Sequence, residues 1–398
     1  MTLPPLPVVR LKPNADTKRI RFGHPWVFSN ELVLDRRTKK LPAGSVALLE
    51  DAAREPLALI GFNAASKIAG RVLSRECSVV IDAAWVAERL RVALALREQV
   101  YSEPFYRLVH AEADGLPGVI IDRFGETAVL QANAAWADAL KAEFVAGLAD
   151  IGVANVILNG TGRARSLEGL PELREVIAGE GPSEPVEVPM NGALYMADLM
   201  GGQKTGLFFD QRPNHAFLQK FVQGAEVLDV FSHVGGFGLA ALAAGARAVT
   251  AVDGSRPALA LAEEGARSMG VSDRFSTLES DAFAALISFA AEGRRFDVVV
   301  CDPPAFAPAK PALEAGLRAY EKVARLAAPL VAPGGILALC SCSHAAGLGK
   351  FRTAILRGIG RAGRQAQLLH TGFAGPDHPE HPALAESGYL KALFLRLS

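Results

Sequence analysis

The chain has 398 residues, half of them hydrophobic, which allows two or three domains with real cores and excludes wholesale disorder. Four cysteines (Cys77, Cys301, Cys340, Cys342) are too few for a disulfide framework, and Met1-Thr2-Leu3-Pro4-Pro5 lacks the basic and apolar regions of a signal peptide. Formal charge is zero overall, but residues 1–75 carry 13 Lys/Arg against 6 Asp/Glu and the remainder 29 against 36; a basic module joined to an acidic one suits a polyanionic partner, and equally an uninvolved charged surface.

Residues 1–77 read as short strands broken by turns. Val8–Leu11 is one strand, and 45–49 with 56–61 form a hairpin around Asp51–Glu55. Between them Arg19-Ile20-Arg21-Phe22-Gly23-His24-Pro25-Trp26-Val27-Phe28 interleaves basic and aromatic side chains, a composition suited to RNA. Arg19, Arg21, His24 and Trp26 are the candidate RNA contacts. Trp26 and Phe28 also suit the core of a small β barrel, where Trp26 is expected. Residues 78–185 read as an α+β region: helix Asp82–Val100, a hairpin over 118–131, helix Ala135–Ala149 and strand Asn155–Leu158. Gly179–Pro185 is the linker.

From residue 186 to 398 strands and helices alternate, as a doubly wound parallel α/β sheet requires. The expected strands are Val227–Phe231, Ala248–Val252, Phe275–Leu278, Val298–Cys301 and Ile336–Cys342. The expected helices are Gly238–Ala244, Arg256–Met269, Ala282–Glu292 and Ala312–Leu330. The uncharged run Leu326–Gly349 is long enough to span a bilayer, but Pro329, Pro333, Gly334 and Gly335 make it a helix end, a turn and a buried strand. We therefore expect a soluble, cytoplasmic protein with no membrane partner.

Glu226 to Gly238 is a strand running into a glycine-rich turn and a helix, with Phe231, Gly235 and Gly236 where a ligand meets the backbone. The spacing is not G-x-G-x-x-G, and Asp229 would repel a pyrophosphate. S-adenosylmethionine, with an amino-acid tail and a positive sulfur, fits better. Asp253, ending the next strand, suits the ribose hydroxyls. Asp281, beside Ala282, suits the adenine amino group, with Phe283 packing on the ring. Upstream, Gly201-Gly202-Gln203-Lys204-Thr205-Gly206 lacks phosphate-loop spacing. Followed by Phe208-Phe209-Asp210-Gln211-Arg212, it reads as a segment closing over the cofactor, with Lys204, Asp210, Gln211 and Arg212 as contacts. The plain alternative is an α/β domain with ordinary turns.

Asp302-Pro303-Pro304 follows the fourth strand at the same carboxyl edge, where a rigid loop can present carbonyls to a flat base. Adenine amino methyltransferases place an aromatic directly after the prolines; here that residue is Ala305, with Phe306 next. Cys340 and Cys342 are two apart on one strand and point the same way. No further Cys or His pair with metal-ligand spacing lies nearby, so no metal is expected. Cys340 reads as a buried, inert thiol and Cys342, at the strand end, as the reactive one. His344 is either its helper or a solvent-facing turn residue.

Taken together these segments resemble the bacterial large-subunit ribosomal RNA cytosine-5 methyltransferases of the RlmI type, over nearly the whole chain. The marks are His24–Phe28, Asp114–Gly118, Gly202–Gly206 with Asp210–Arg212, Phe231–Phe237, Asp302–Pro304, Ser341–Ser343, Asp377–Pro379, Glu386 and Tyr389–Lys391. The resemblance implies an N-terminal PUA domain for RNA, a small central domain and a C-terminal class I, Rossmann-like methyltransferase using S-adenosylmethionine. It places the nucleophile at Cys342, which would add to cytosine carbon 6 while carbon 5 takes the methyl. Asp302 would hold the cytosine edge and Glu386 would serve in proton transfer. The position after the prolines is often lysine in the family and is Ala305 here. The expected partner is 23S ribosomal RNA, free or in a pre-ribosomal particle, with a homodimer a further candidate. The rivals are transfer to uracil carbon 5 or a guanine nitrogen, a nicotinamide-dependent dehydrogenase, and an inactive RNA-binding assembly factor.

Overall fold

The computed structural model describes residues 6–202 and 205–398. The chain divides into two compact units: residues up to Ser183 with Pro376–Ala385, and Glu184–Gly375 with Glu386–Ser398.

In the first unit, β1 (Val8–Arg10), β2 (Trp26–Val27), β3 (Ser45–Glu50), β4 (Pro56–Phe62) and β5 (Gly70–Ser74) form a sheet in the order β1-β3-β4-β5-β2. The β3–β4 turn is closed by the Asp51 carboxylate, which accepts from the amides of Ala53 and Glu55 at 2.9 Å each. Alternating side chains such as Ala47, Leu49, Ala58 and Ile60 enclose a core with Val9, Ile20 and Val27. The helix α1 (Thr17–Arg21), capped by Asp16, leads into β2.

A second sheet has the order β10-β9-β8-β7-β6, from β6 (Phe105–His110), β7 (Val119–Phe124), β8 (Thr127–Ala132), β9 (Asn155–Asn159) and β10 (Arg174–Ala178). It carries α2 (Ala83–Val100), α3 (Ala135–Ala139), α4 (Lys141–Ala149) and α5 (Arg163–Leu167). The single helix expected over 135–149 is interrupted at Leu140. Trp136 anchors α3: its ring fills the core beside Phe144 and its indole donates to the Pro117 carbonyl at 2.9 Å.

Residues 1–77 and 78–185, read from the sequence as two domains, have separate cores inside this one unit. Two features join them. The Trp136 ring lies against Gly61 of β4, where an added Cβ would sit 2.6 Å from it. The buried Glu168 carboxylate accepts from Asn63 Nδ2 at 3.1 Å, Ser66 Oγ at 2.8 Å and Arg71 Nη2 at 3.1 Å. The tail segment is pinned by Asp377, which accepts from Tyr101 Oη and the Arg107 amide at 3.1 Å each, while its carbonyl takes Arg97 Nη2 at 2.8 Å.

The second unit opens with the hairpin β11 (Val186–Met190) and β12 (Ala193–Ala197), followed by α6 (Arg212–Leu218). The expected alternation follows: β13 (Glu226–Val230), α7 (Gly236–Ala243), β14 (Ala248–Asp253), α8 (Arg256–Ser268), β15 (Phe275–Glu279), α9 (Ala282–Ala291), β16 (Phe296–Cys301), α10 (Leu313–Ala327), β17 (Val331–Ser341) and α11 (Leu348–Arg361). Two strands not read from the sequence, β18 (Ala366–Gly372) and β19 (Lys391–Leu397), complete a seven-stranded sheet ordered β15-β14-β13-β16-β17-β19-β18. The first five are parallel; β19 runs antiparallel between β17 and β18. Among the parallel strands, β13, β16 and the second half of β17 are buried on both faces and are near-continuous apolar runs, while β15 at the edge is partly exposed.

Two strand ends differ from expectation. Phe231 falls outside β13 and takes φ 63°, and Cys342 lies one residue beyond β17. The uncharged stretch from 326 is a helix end and part of β17, and among the described residues no helix is long and apolar enough to cross a membrane.

Replacing Glu168 by alanine removes the buried acceptor shared by Asn63, Ser66 and Arg71, and leaves Arg71 with Glu112 alone. We expect a loss of about 3 kcal/mol or more in the stability of the first unit, measured as a lower urea midpoint.

Candidate active site

Successive strands from β13 run to one side through β14 and β15, and from β16 to the other through β17. That reversal leaves a crevice at the carboxyl ends, the usual ligand position in such a sheet. A cleft of about 550 Å³ opens there. Of the residues singled out from the sequence, it is lined by Asp210, Gln211, Asp229, Phe231, Gly236, Asp253, Asp281, Ala282, Asp302 and Cys342. Arg212, Gly235 and Glu386 do not line it, and Lys204 lies outside the described residues. Arg212 turns instead over the Phe209 ring at 5.6 Å, and Glu386 is exposed.

The turn after β13 is held in an unusual conformation. Phe231 (φ 63°) and His233 (φ 50°) both occupy the left-handed region that side chains disfavour, which costs on the order of 1–3 kcal/mol each. Asp253 helps hold it, taking the His233 amide on Oδ2 at 2.9 Å and the Ser255 amide on Oδ1 at 2.8 Å. Asp281 caps α9 by accepting from the Ala284 amide at 3.0 Å. Phe283, expected to pack on the adenine, does not line the cleft; it lies under the Lys322 ammonium and beside Phe306.

The cleft's chemistry fits S-adenosylmethionine. Asp210, Asp229, Asp253, Asp281 and Asp302 line it, and no Lys or Arg does among the described residues. That charge suits a sulfonium and an ammonium and opposes the pyrophosphate of a nicotinamide dinucleotide. Phe208, Phe231 and Phe237 supply apolar wall, and Ser232 Oγ is buried without a hydrogen-bond partner among the described residues. The Asp229 carboxyl is fully buried. Burial raises its pKa to about 7, with the charges of Asp302 and Asp253 adding to the shift and the Gly238 amide (2.8 Å) opposing it. His215, also in the lining, is pulled down to about 3 by burial and is neutral.

At the catalytic edge Gln211 Nε2 donates to Asp302 Oδ2 at 2.9 Å, and Asn214 Nδ2 to Gln211 Oε1 at 2.7 Å. Tyr389 Oη donates to Asp210 Oδ2 at 2.6 Å. Cys340 is buried and its thiol is pushed well above its usual pKa by burial, consistent with an inert role, whereas Cys342 is half-buried in the cleft wall. His344 is exposed. Sequence reasoning gave no role to Ser341, Ser343, Tyr320 and Lys391, which surround Cys342. Ser341 Oγ donates to Tyr320 Oη at 2.8 Å, the Tyr320 and Ser343 hydroxyls share a bond of 2.8 Å, and Ser343 Oγ accepts the Ala307 amide at 3.0 Å.

In the basic module, the four candidate RNA contacts differ in availability. Arg19 is paired with Glu31 at 2.8 Å and lies over the Phe28 ring. Trp26 is half-buried, not fully in the core as expected, because its indole donates to Glu112 Oε1 at 2.8 Å. His24 bonds within the turn to Trp26. Arg21 is exposed and reaches Asp51 at 3.5 Å, and next to it is a ring that the sequence reading did not select: Phe22, 84% exposed.

A family model described as S-adenosylmethionine-dependent methyltransferase matches residues 170–396, and one described as PUA-like domain matches 9–75. Fold and site thus define a class I S-adenosylmethionine-dependent methyltransferase with an N-terminal PUA-like domain. Ribosomal RNA large subunit methyltransferase I from Shewanella amazonensis is 36% identical over 98% of this chain and 99% of its own length. The protein of the same name from Photobacterium profundum is 35% identical, over 94% and 95%. The chain belongs to this ribosomal RNA large subunit methyltransferase I family. In fold it matches a SAM-dependent methyltransferase structure from Streptococcus mutans, 20% identical with a TM-score of 0.81 over 98% of this chain and 100% of that one.

The raised pKa of Asp229 has two consequences. The folded state holds a proton that the unfolded chain has lost above its value of 3.8, so this group's stabilising contribution is present below that pH and lost as pH rises through about 7. A cationic ligand, in contrast, prefers the ionised carboxylate. Calorimetric affinity for S-adenosylmethionine should therefore fall as pH drops from 8 to 6. Asp229→Asn should flatten that dependence, weaken binding and raise the unfolding temperature at pH 8.

Proposed function

We propose that the protein forms 5-methylcytosine in large-subunit (23S) ribosomal RNA, with Cys342 as the nucleophile. The observation that carries this reading is the shared cleft: Cys342 and Asp302 line the same wall-to-wall space as Phe231, Asp253 and Asp281. The family relatives, named as ribosomal RNA large-subunit methyltransferases, supply the substrate class.

S-adenosylmethionine, when bound, supplies an electrophilic methyl carbon. Cytosine carbon 5 is a weak nucleophile until the Cys342 thiolate adds to carbon 6, which shifts the electron pair of the 5,6 double bond to carbon 5. Carbon 5 then gains the methyl. Loss of its proton to a base restores the double bond and expels the thiolate, so the ring exchanges a proton for a methyl cation. Asp302, which accepts a hydrogen bond from Gln211, would hold the cytosine edge. Ala305 leaves room beside the prolines where a longer side chain would project. Phe306 packs against Tyr320 at 5.0 Å between ring centres and is not a stacking platform for the base. Glu386, exposed and outside the cleft wall, has no part in this scheme.

For the RNA itself, Phe22 beside Arg21 pairs an exposed ring for a base with a cation for a phosphate. Phe22→Ala should raise the Kd for RNA about tenfold in filter binding, with cofactor affinity unchanged.

The reaction is tested with labelled S-adenosylmethionine, supplying free 23S RNA and large-subunit particles in parallel, followed by nucleoside analysis. Wild type should yield 5-methylcytosine, and Cys342→Ala should lose roughly 10³-fold or more of the transfer. Label on uracil or guanine that survives the mutation would refute the adduct.

A further inference from the structure

Lys391 opens β19 and is 4% exposed. Its Nζ donates to the carbonyl of Ser343 at 2.6 Å and to that of Tyr389 at 2.9 Å. Neither acceptor carries a charge. Among the described residues the one charge that acts on Lys391 is that of Cys342. A buried ammonium held by carbonyls alone is costly, and an adjacent anion would offset much of that cost.

The geometry identifies that anion. Ser341 is Cα-paired with Lys391 across the β17–β19 ladder, and Ser343 offers its carbonyl to the same ammonium. Cys342 is the residue between them. Its two serine neighbours are fixed from α10 by Tyr320 and from the loop after β16 by the Ala307 amide. The turn is thereby held on three sides, with the ammonium closing the third.

We propose that Lys391 is a positioning residue for Cys342: its buried ammonium is the counter-ion of the thiolate and the clamp on the turn that aims it into the cleft. This rests on Cys342 being the nucleophile. Four other groups near Cys342 among the described residues are not counter-ions to a thiolate. Asp302 lines the same cleft and opposes a thiolate; Tyr320 is held neutral by burial; Cys340 is buried with its thiol protonated; His344 is exposed. Burial lowers the Lys391 pKa to about 8 even with the opposing pull of the Cys342 charge, so the lysine is still mostly charged at neutral pH.

The test reads the thiol directly. Alkylation of Cys342 by iodoacetamide is followed from pH 6 to 9.5 by mass spectrometry of its peptide, with S-adenosylhomocysteine binding as the check on folding. Wild type should show a midpoint below the ordinary thiol value of about 8.5. Lys391→Met should move it up by about one pH unit and slow labelling at pH 7 about tenfold. An unchanged midpoint in a Lys391→Met protein that still binds S-adenosylhomocysteine would overturn the proposal. Should that variant not fold, the reciprocal effect is measured in Cys342→Ala with ¹³C-labelled lysine. The Lys391 titration must shift downward, and an unmoved titration also overturns it. Because alkylation needs no RNA, a Cys342→Ala enzyme that still methylates would sink the adduct reading while leaving the lysine–thiolate coupling to stand or fall on its own midpoint.

Discussion

Residues Ile336 to Ser341 of β17 lie Cα to Cα opposite Arg396 to Lys391 of β19, and this ladder fixes where the turn carrying Cys342 begins. The antiparallel strand brings residues 389–391 back to the carboxyl edge of the parallel sheet. Tyr389 therefore reaches Asp210, Leu390 enters the cleft wall and Lys391 grips the Ser343 carbonyl. Because side chains alternate along a strand, a slip of one residue would turn Lys391 to the opposite face and release the turn. Backbone register, more than any single side-chain contact, organises the catalytic edge.

The cofactor end follows a different logic. There the fold accepts an unfavourable arrangement: buried Asp229 near Asp253 and Asp302, and two non-glycine residues in the left-handed region directly after β13. Neither favours folding. Both make sense where a cationic ligand completes the electrostatics and where the backbone must pass close to it. The basic N-terminal module is balanced by contrast, with Arg19 on Glu31, Arg10 on Glu50 and Arg71 on Glu112 and Glu168. Part of its arginine charge is therefore structural, while Lys18, Arg36, Arg37, Lys39 and Lys40 stay exposed and Phe22 faces solvent beside Arg21, which reaches Asp51 at 3.5 Å.

The parallel strands were readable because burial on both faces shows as unbroken apolar runs, as at 298–301 and 336–340, and the acids at their ends marked the crevice. Cys342, Asp302, Asp253 and Asp281 came into one cleft for that reason. What periodicity does not carry is the partner of an element. Trp26 and Phe22 are both aromatics among arginines, and only the position of Glu112 decides that the first is tied down and the second exposed. Phe283 and Phe231 both follow strands, yet α10 takes the first through Lys322 and the cleft keeps the second. Lys391 was legible as a residue of the family pattern but not as a buried charge, because lysine at a strand's start ordinarily marks solvent.

The route of the tail sets an order of assembly. After β18 the chain leaves the second unit, contributes Pro376–Ala385 to the first, and returns as β19. During synthesis the first unit emerges early, yet Arg97, Tyr101 and the Arg107 amide wait for Asp377, some 270 residues later. The seven-stranded sheet likewise stays open between β17 and β18 until β19 has been made. Neither unit can reach its final form before residues 376–397 are made, so the two mature together and not one after the other.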